Sequence, residues 1–295
     1  MATDPTRDDT ARFHAAYQAV LATWGVPVES LELRSPYGAT RVNACGPPDG
    51  EPLVLLHGGG ATAASWYANA AGLSRTRRLY AVDRIGEAGL SERGGRTIRT
   101  PADLFDWLDG TLDGLGVEDV DLCGHSYGAW VALSYALRSP ERVRRLVLLD
   151  PTHCFAGLKP GYLLHALPLL ARPTARRARA FLAWETGGAT FDDAWLRLYG
   201  RAAELPRGRI VTGRRPQGAG LRALQVPALA LFAENSRTHD SRRAAAAARR
   251  TLRDATVDVV PGLSHHGVPM VEAEELNGRI LRFLASAAGP DRFRR

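Results

Sequence analysis

Three short stretches of this chain carry residue types that could do nucleophilic chemistry together. In "VDLCGHSYGAW", residues 120–130, Ser126 stands between Gly124 and Gly128 directly after a short apolar run. G-x-S-x-G at a strand-to-helix corner is a sharp turn that presents the serine hydroxyl, and small flanking residues let that turn close. A serine hydroxyl is a poor nucleophile until an imidazole accepts its proton. "VDVVPGLSHHGVP" supplies His265 and His266 in the loop after the last predicted strand. His265 is preferred, because it follows the strand by a short loop that returns to the edge carrying Ser126. "LVLLHGGG" ends a strand in glycines, whose backbone N–H groups can come close to a developing oxyanion. Gly59 is the expected donor there, with Gly60 a candidate third, and the N–H of Tyr127, the residue after the serine, completes the pair.

The carboxylate that would orient the imidazole has three candidates. Asp150 ends the strand "RRLVLLD", immediately after the serine unit, where an acid can reach a histidine over the sheet edge. An Asp before a Pro at a strand end also commonly caps the next segment. The loop after "ALALF" reads "AENSRTHD", with Glu234 slightly early, Asp240 slightly late, and Ser236 where an acid usually falls. The ranking is Asp150, then Asp240, with Glu234 the third alternative.

These residues need a scaffold that brings distant segments to one edge. "EPLVLLH", "RLYAVD", "VDLCGH", "VRRLVLLD", "VPALALFAEN" and "ATVDVV" read as near-continuous apolar strands of the kind buried in parallel sheets. Helical patterns alternate with them, including "TPADLFDWLDGTLDGLG" with Thr100 as cap and Pro101 in its first turn. "SLELRSPYG" and "ATRVNACG" form a hairpin around Tyr37-Gly38, preceded by the amphipathic helix "ARFHAAYQAVLATWG". The expected class is α/β, a doubly wound, mainly parallel sheet. Alternation lapses between 152 and 222, where "LKPGYLLHALPLLARPTARRARAFLAWETGG" and "FDDAWLRLYG" are helical without a strand. Residues 1–151 and 223–295 are therefore expected to form the core and 152–222 a helical cap, with an apolar lid from "YLLHALPLL", Phe181 and Trp184.

Composition narrows the partners. The chain has 295 residues, 45% hydrophobic and 23% charged, which suits one large domain with an insertion. The net charge of +7 comes from arginines scattered over helices, with no basic-and-aromatic stripe, so nucleic acid is not an expected partner. No apolar run is long enough to cross a bilayer, and the opening residues do not read as a secretory signal, so no membrane partner and a cytoplasmic location are expected. Cys45, Cys123 and Cys154 lack metal-binding spacing, and the adjacent histidines have no carboxylate at ligand spacing; no metal and no cofactor are called for. The oligomeric state is left open.

Taken in order, the HG motif, G-x-S-x-G and a late histidine, with helices inserted between, resemble the α/β-hydrolase superfamily. Within it, "SPYGATRV", "PLVLLHGG", "SWYANAAGLSRTRRLYAVDRIGEAG" and "SPERVRRLVLL" are similar to bacterial carboxylesterases of the naproxen-esterase type. That resemblance implies Ser126 as nucleophile, His265 as base, Gly59 and Tyr127 as oxyanion donors, and a small-molecule ester or thioester as substrate. The chain departs at Ser236, which stands where the family carries its acid; other superfamily members take the acid from the earlier strand end, which favours Asp150. Dehalogenase and epoxide hydrolase chemistry is disfavoured, since those members carry Asp at the position of Ser126. Hydrolysis of a carboxylic ester through an acyl-enzyme is the leading expectation. A thioesterase, lactonase, carbon–carbon hydrolase or cyclase is the alternative, and a non-catalytic binding module the third.

Overall fold

The structure, a computed structural model, describes residues 5–206, 208 and 210–286. Among the described residues nine strands form one sheet: β1 (Glu29–Ser35), β2 (Gly38–Cys45), β3 (Glu51–Leu56), β4 (Arg77–Val82), β5 (Glu92–Arg93), β6 (Val120–His125), β7 (Val143–Leu149), β8 (Ala228–Ala233) and β9 (Ala255–Val260). Their order is β1-β2-β4-β3-β6-β7-β8-β9, with β5 paired to the start of β2. From β4 to β9 every neighbouring pair is parallel; the hairpin β1–β2 and the β2–β4 pair are antiparallel. The expected class is observed.

The helices are α1 (Pro5–Leu21), α2 (Tyr67–Leu73), α3 (Pro101–Gly114), α4 (Tyr127–Arg138), α5 (Pro160–Ala171), α6 (Ala175–Thr186), α7 (Asp193–Glu204), α8 (Gly218–Ala223), α9 (Ser241–Thr251) and α10 (Ala273–Ala285). They cover both faces of the sheet, which is why its central strands read as unbroken apolar runs rather than alternating ones. Along β3, Val54 and Leu56 join one core with Trp107, Trp130 and Tyr135, while Leu53 and Leu55 join the other with Tyr17, Trp66 and Ile280.

Several boundaries depart from the sequence reading. The first helix begins at Pro5 rather than near Ala11. The single helical stretch expected before residue 188 is two helices, because Pro173 cannot continue α5 and Thr174 caps α6 by accepting the Arg177 N–H at 3.3 Å. Strand β5 and helix α8 are too short to leave a periodic signal. The expected end of the last helix, residues 287–288, lies outside the described residues. Between β7 and β8 the described residues hold helices and loops only, α5 to α8.

Candidate active site

The sequence bends at Ser126 because two glycines permit it. A Cβ on Gly124 would lie 2.3 Å from the Gly128 carbonyl oxygen, and one on Gly128 would lie 2.1 Å from that of Leu56. Only glycine lets β6 turn this closely into α4. Ser126 itself takes φ 57° and ψ −117°, a conformation that L residues rarely adopt and that costs on the order of 1–3 kcal/mol. Its N–H donates to Leu149 O at 2.9 Å, which ties the strained turn to the end of β7.

Three of the residues singled out by sequence meet here. Ser126 Oγ lies 2.8 Å from His265 Nε2, and His265 Nδ1 lies 2.5 Å from Asp150 Oδ2. The carboxylate accepts from Nδ1–H, so Nε2 is left with the lone pair that can accept the serine proton. Asp150 is fully buried. Burial pushes its carboxyl up, but the flanking imidazoles of His239 and His265 outweigh that and hold it well below the usual carboxylate range. Ala233 N–H donates to Oδ1 at 2.9 Å and Ser236 Oγ donates to Oδ2 at 2.8 Å. Neither alternative acid reaches the imidazole. Asp240 caps α9 by accepting the Arg243 N–H at 3.0 Å, and Glu234 accepts the Gly262 N–H at 3.2 Å.

His265 is held on every side. Its carbonyl faces His125 Nε2 at 2.9 Å, and burial, reinforced by the neighbouring imidazoles of His265 and His266, holds His125 at about 3, so that ring is neutral and donates. Its N–H donates to Glu185 Oε1 at 3.0 Å. Glu185, buried on α6, also accepts the N–H and Nδ1–H of His266, at 3.1 and 2.8 Å. His266 is therefore turned away from Ser126 and committed to Glu185.

The glycine loop lies over the serine. A Cβ on Gly58 would sit 3.4 Å from Ser126 Cβ, and one on Gly59 would sit 3.7 Å from Tyr127 Cβ. The Tyr127 N–H opens α4, where no intrahelical acceptor exists for it. The candidate third donor is corrected: Gly60 N–H is taken by Glu87 Oε2 at 2.8 Å. Glu87 in turn pairs with Arg84, which is buried, donates to the carbonyls of His57 and Gly58, and stacks its guanidinium 4.7 Å from the Tyr127 ring. Together these bonds anchor the loop from His57 to Gly60 beside Tyr127.

Sequence reasoning did not find Arg84, Glu87, Glu185 or His239. For Glu185 a signal existed: it is the sole acid between Asp150 and Asp192. The others lie in stretches where a charged residue or histidine has no distinguishing neighbour.

Above Ser126 opens a cavity of about 530 Å³. Trp66, Trp130, Tyr162, Phe181, Trp195 and Tyr199 dominate its walls, and Leu163 and Leu170 reach it from α5. Among the described residues no cluster of His, Cys, Asp and Glu has the arrangement to hold a metal ion. No helix among them is long and apolar enough to cross a membrane.

A parallel sheet with a serine elbow at its carboxyl edge defines a class, and residues 53–279 match the alpha/beta hydrolase family. The chain belongs to that family and is a hydrolase. It is 30% identical to carboxylesterase YbfK of Bacillus subtilis over 92% of this chain and 93% of that one. The solved structure of that protein superposes with a TM-score of 0.89, covering 95% of this chain and 99% of the other. The naproxen esterase (carboxylesterase NP) structure from Bacillus subtilis is 28% identical with a TM-score of 0.88, covering 94% and 98%. A 2-hydroxymuconate semialdehyde hydrolase of Pseudomonas is 44% identical over a shorter span, 34% of this chain and 36% of that one.

Proposed function

We propose that this protein is a serine carboxylesterase acting on small-molecule esters, with Ser126, His265 and Asp150 as its catalytic triad. The observation that carries the reading is the unbroken chain of bonds from Ser126 Oγ through the His265 imidazole to Asp150. Full-length similarity to carboxylesterases supports the substrate class.

In the first half-reaction Ser126 Oγ attacks the ester carbonyl carbon while its proton passes to His265 Nε2. Asp150 stabilises the imidazolium that forms and keeps the ring in the productive tautomer. The carbonyl oxygen gains negative charge and is received by the N–H groups of Gly59 and Tyr127, each donor of this kind being worth about 2.7–4 kcal/mol in other hydrolases. The tetrahedral intermediate collapses, His265 returns the proton to the leaving alcohol, and the acyl group stays on Ser126. Water then attacks the acyl-enzyme with His265 again as base, releasing the acid and restoring the hydroxyl. Every proton taken is returned, so the cycle needs no cofactor. Residues 152–222 serve as a cap, from which Tyr162, Phe181, Trp195 and Tyr199 place an aromatic roof over the acyl group.

A fluorophosphonate probe together with a short p-nitrophenyl ester tests this. Labelling and turnover are expected, and both are expected to vanish in Ser126→Ala. Labelling without ester turnover would move the reading to the carbon–carbon hydrolase alternative, which the local identity to the semialdehyde hydrolase favours. Absence of both signals would leave a binding module.

A further inference from the structure

We propose that helix α5, with the arginine-rich start of α6, docks on an anionic lipid bilayer, lying flat in the interface with the mouth of the cavity facing the membrane. Helix α5, "PGYLLHALPLLA", carries no charged residue. Its inner stripe of Tyr162, Ala166 and Leu169 lines the cavity. On its outer side Leu164 and Leu167 are 65% and 54% exposed, and Leu163 and Leu170, 45% and 70% exposed, stand where the cavity opens. A helix apolar on both sides belongs inside a protein or against lipid, and here the outer side meets solvent. Leu158 and Ile210, the other exposed large hydrophobics among the described residues, also line the cavity. The apolar exposure is therefore gathered round one opening instead of scattered singly.

The charge beside this patch has one sign. Between Asp150 and Glu185 the chain holds Lys159, Arg172, Arg176, Arg177 and Arg179 and no acid. Arg177 donates to Pro168 O and Arg172 O, which fixes its guanidinium against the end of the leucine stripe. Arg237 adds a further cation over Trp184, whose ring stacks on His165 of α5 at 4.0 Å. Carboxylates on neighbouring elements are already engaged: Glu204 pairs with Arg201 at 3.3 Å, and Glu185 is buried under His266. Leucines set at the acyl boundary with guanidinium groups at the level of lipid phosphates are the arrangement of an interfacial helix. The expectation of no membrane partner rested on the lack of a spanning run, and a helix that lies in the interface needs none.

Co-sedimentation of the full chain with vesicles tests the surface, using phosphatidylcholine alone and phosphatidylcholine mixed with phosphatidylglycerol. Binding to the anionic vesicles at low salt is expected, and it should weaken at high salt. Leu164→Ser combined with Leu167→Ser should abolish it, and Arg172→Gln combined with Arg176→Gln should weaken it by about tenfold or more. All four side chains lie outside the cavity lining, so turnover of a short water-soluble ester should be unchanged in both variants. The proposal is overturned by absence of binding to either vesicle, by equal binding to both, or by binding that the leucine variant retains. Self-association that the leucine variant removes would also overturn it, by assigning the face to a second copy of the chain. None of these readouts depends on Ser126, so they are separate from the test of the esterase reading.

Discussion

Ser236 donates its hydroxyl to Asp150 Oδ2 at 2.8 Å, the same oxygen that lies 2.5 Å from His265 Nδ1. The position after β8 that the resemblance marks for an acid thus carries a donor that supports an acid from β7. The two sites are neighbours in space, and two carboxylates there could not both ionise without a large penalty. The acid from the end of β7 holds the imidazole, and the hydroxyl from the loop after β8 holds the acid.

If Asp150 is the orienting acid, Asp150→Asn should lower kcat by about 10³–10⁴-fold, the scale seen when such a carboxylate is neutralised in other triads. Adding Ser236→Asp to that variant should restore activity by about tenfold or more, since it returns a carboxylate to the same neighbourhood. Asp240→Asn should stay within about twofold, because Asn caps a helix as well as Asp does. Steady-state turnover of one chromogenic ester across the three variants checks the set, and a crippled Asp240→Asn beside a nearly silent Asp150→Asn would remove Asp150 from its role.

The two glycine clusters should respond differently to alanine. Gly128→Ala drives a Cβ to within 2.1 Å of Leu56 O, so the elbow cannot close, and a loss of about 3 kcal/mol or more in stability is expected. Gly59→Ala meets nothing nearer than 3.5 Å and should fold with a melting temperature close to that of the parent. Thermal unfolding of the two variants side by side distinguishes a steric requirement from a general preference for glycine.

Glu185 makes a pH-dependent contribution to stability. Burial pushes its carboxyl up, but the hydrogen bond and charge of His266, with help from His265, bring it from 4.5 down to about 2. A value below that of the unfolded chain means that the stabilisation is complete above pH 4.5 and is lost as the pH falls towards 2. Glu185→Gln should cost about 1–3 kcal/mol at neutral pH, and the gap to the parent should narrow through that acid window. Denaturant unfolding at several pH values measures the gap; a constant difference would show that hydrogen-bond geometry alone accounts for it.

Arg84→Lys should reduce kcat by about ten- to a hundredfold while leaving KM within about threefold. Arg84 grips the His57 and Gly58 carbonyls with a planar fork that a lysine ammonium cannot reproduce. With the Gly59 N–H in its proposed role as oxyanion donor, the loss belongs to the transition state and so should appear in kcat. A change confined to KM would instead place Arg84 in substrate binding.

Much of this architecture was legible in local signals. Apolar runs such as "EPLVLL" and "VRRLVLL" marked buried parallel strands, and Thr100 with Pro101 marked the start of α3, where the structure adds a capping box with Asp103. What was missed is non-local. Glu185, Arg84 and His239 act through partners about 80, 27 and 89 residues away respectively, and no periodicity reports such a pairing.

From sequence alone the serine elbow, the late histidine and the glycine loop could be named, because each is a backbone demand met by specific residue types within a few positions. Which of Asp150, Asp240 and Glu234 lies against the His265 imidazole, that Glu87 takes the Gly60 N–H, and that His266 turns onto Glu185 are facts of the tertiary structure alone. Each depends on which of several chemically similar groups arrives within about 3 Å of a given nitrogen, and hydrogen bonds weaken too steeply beyond that range for proximity along the chain to choose between them.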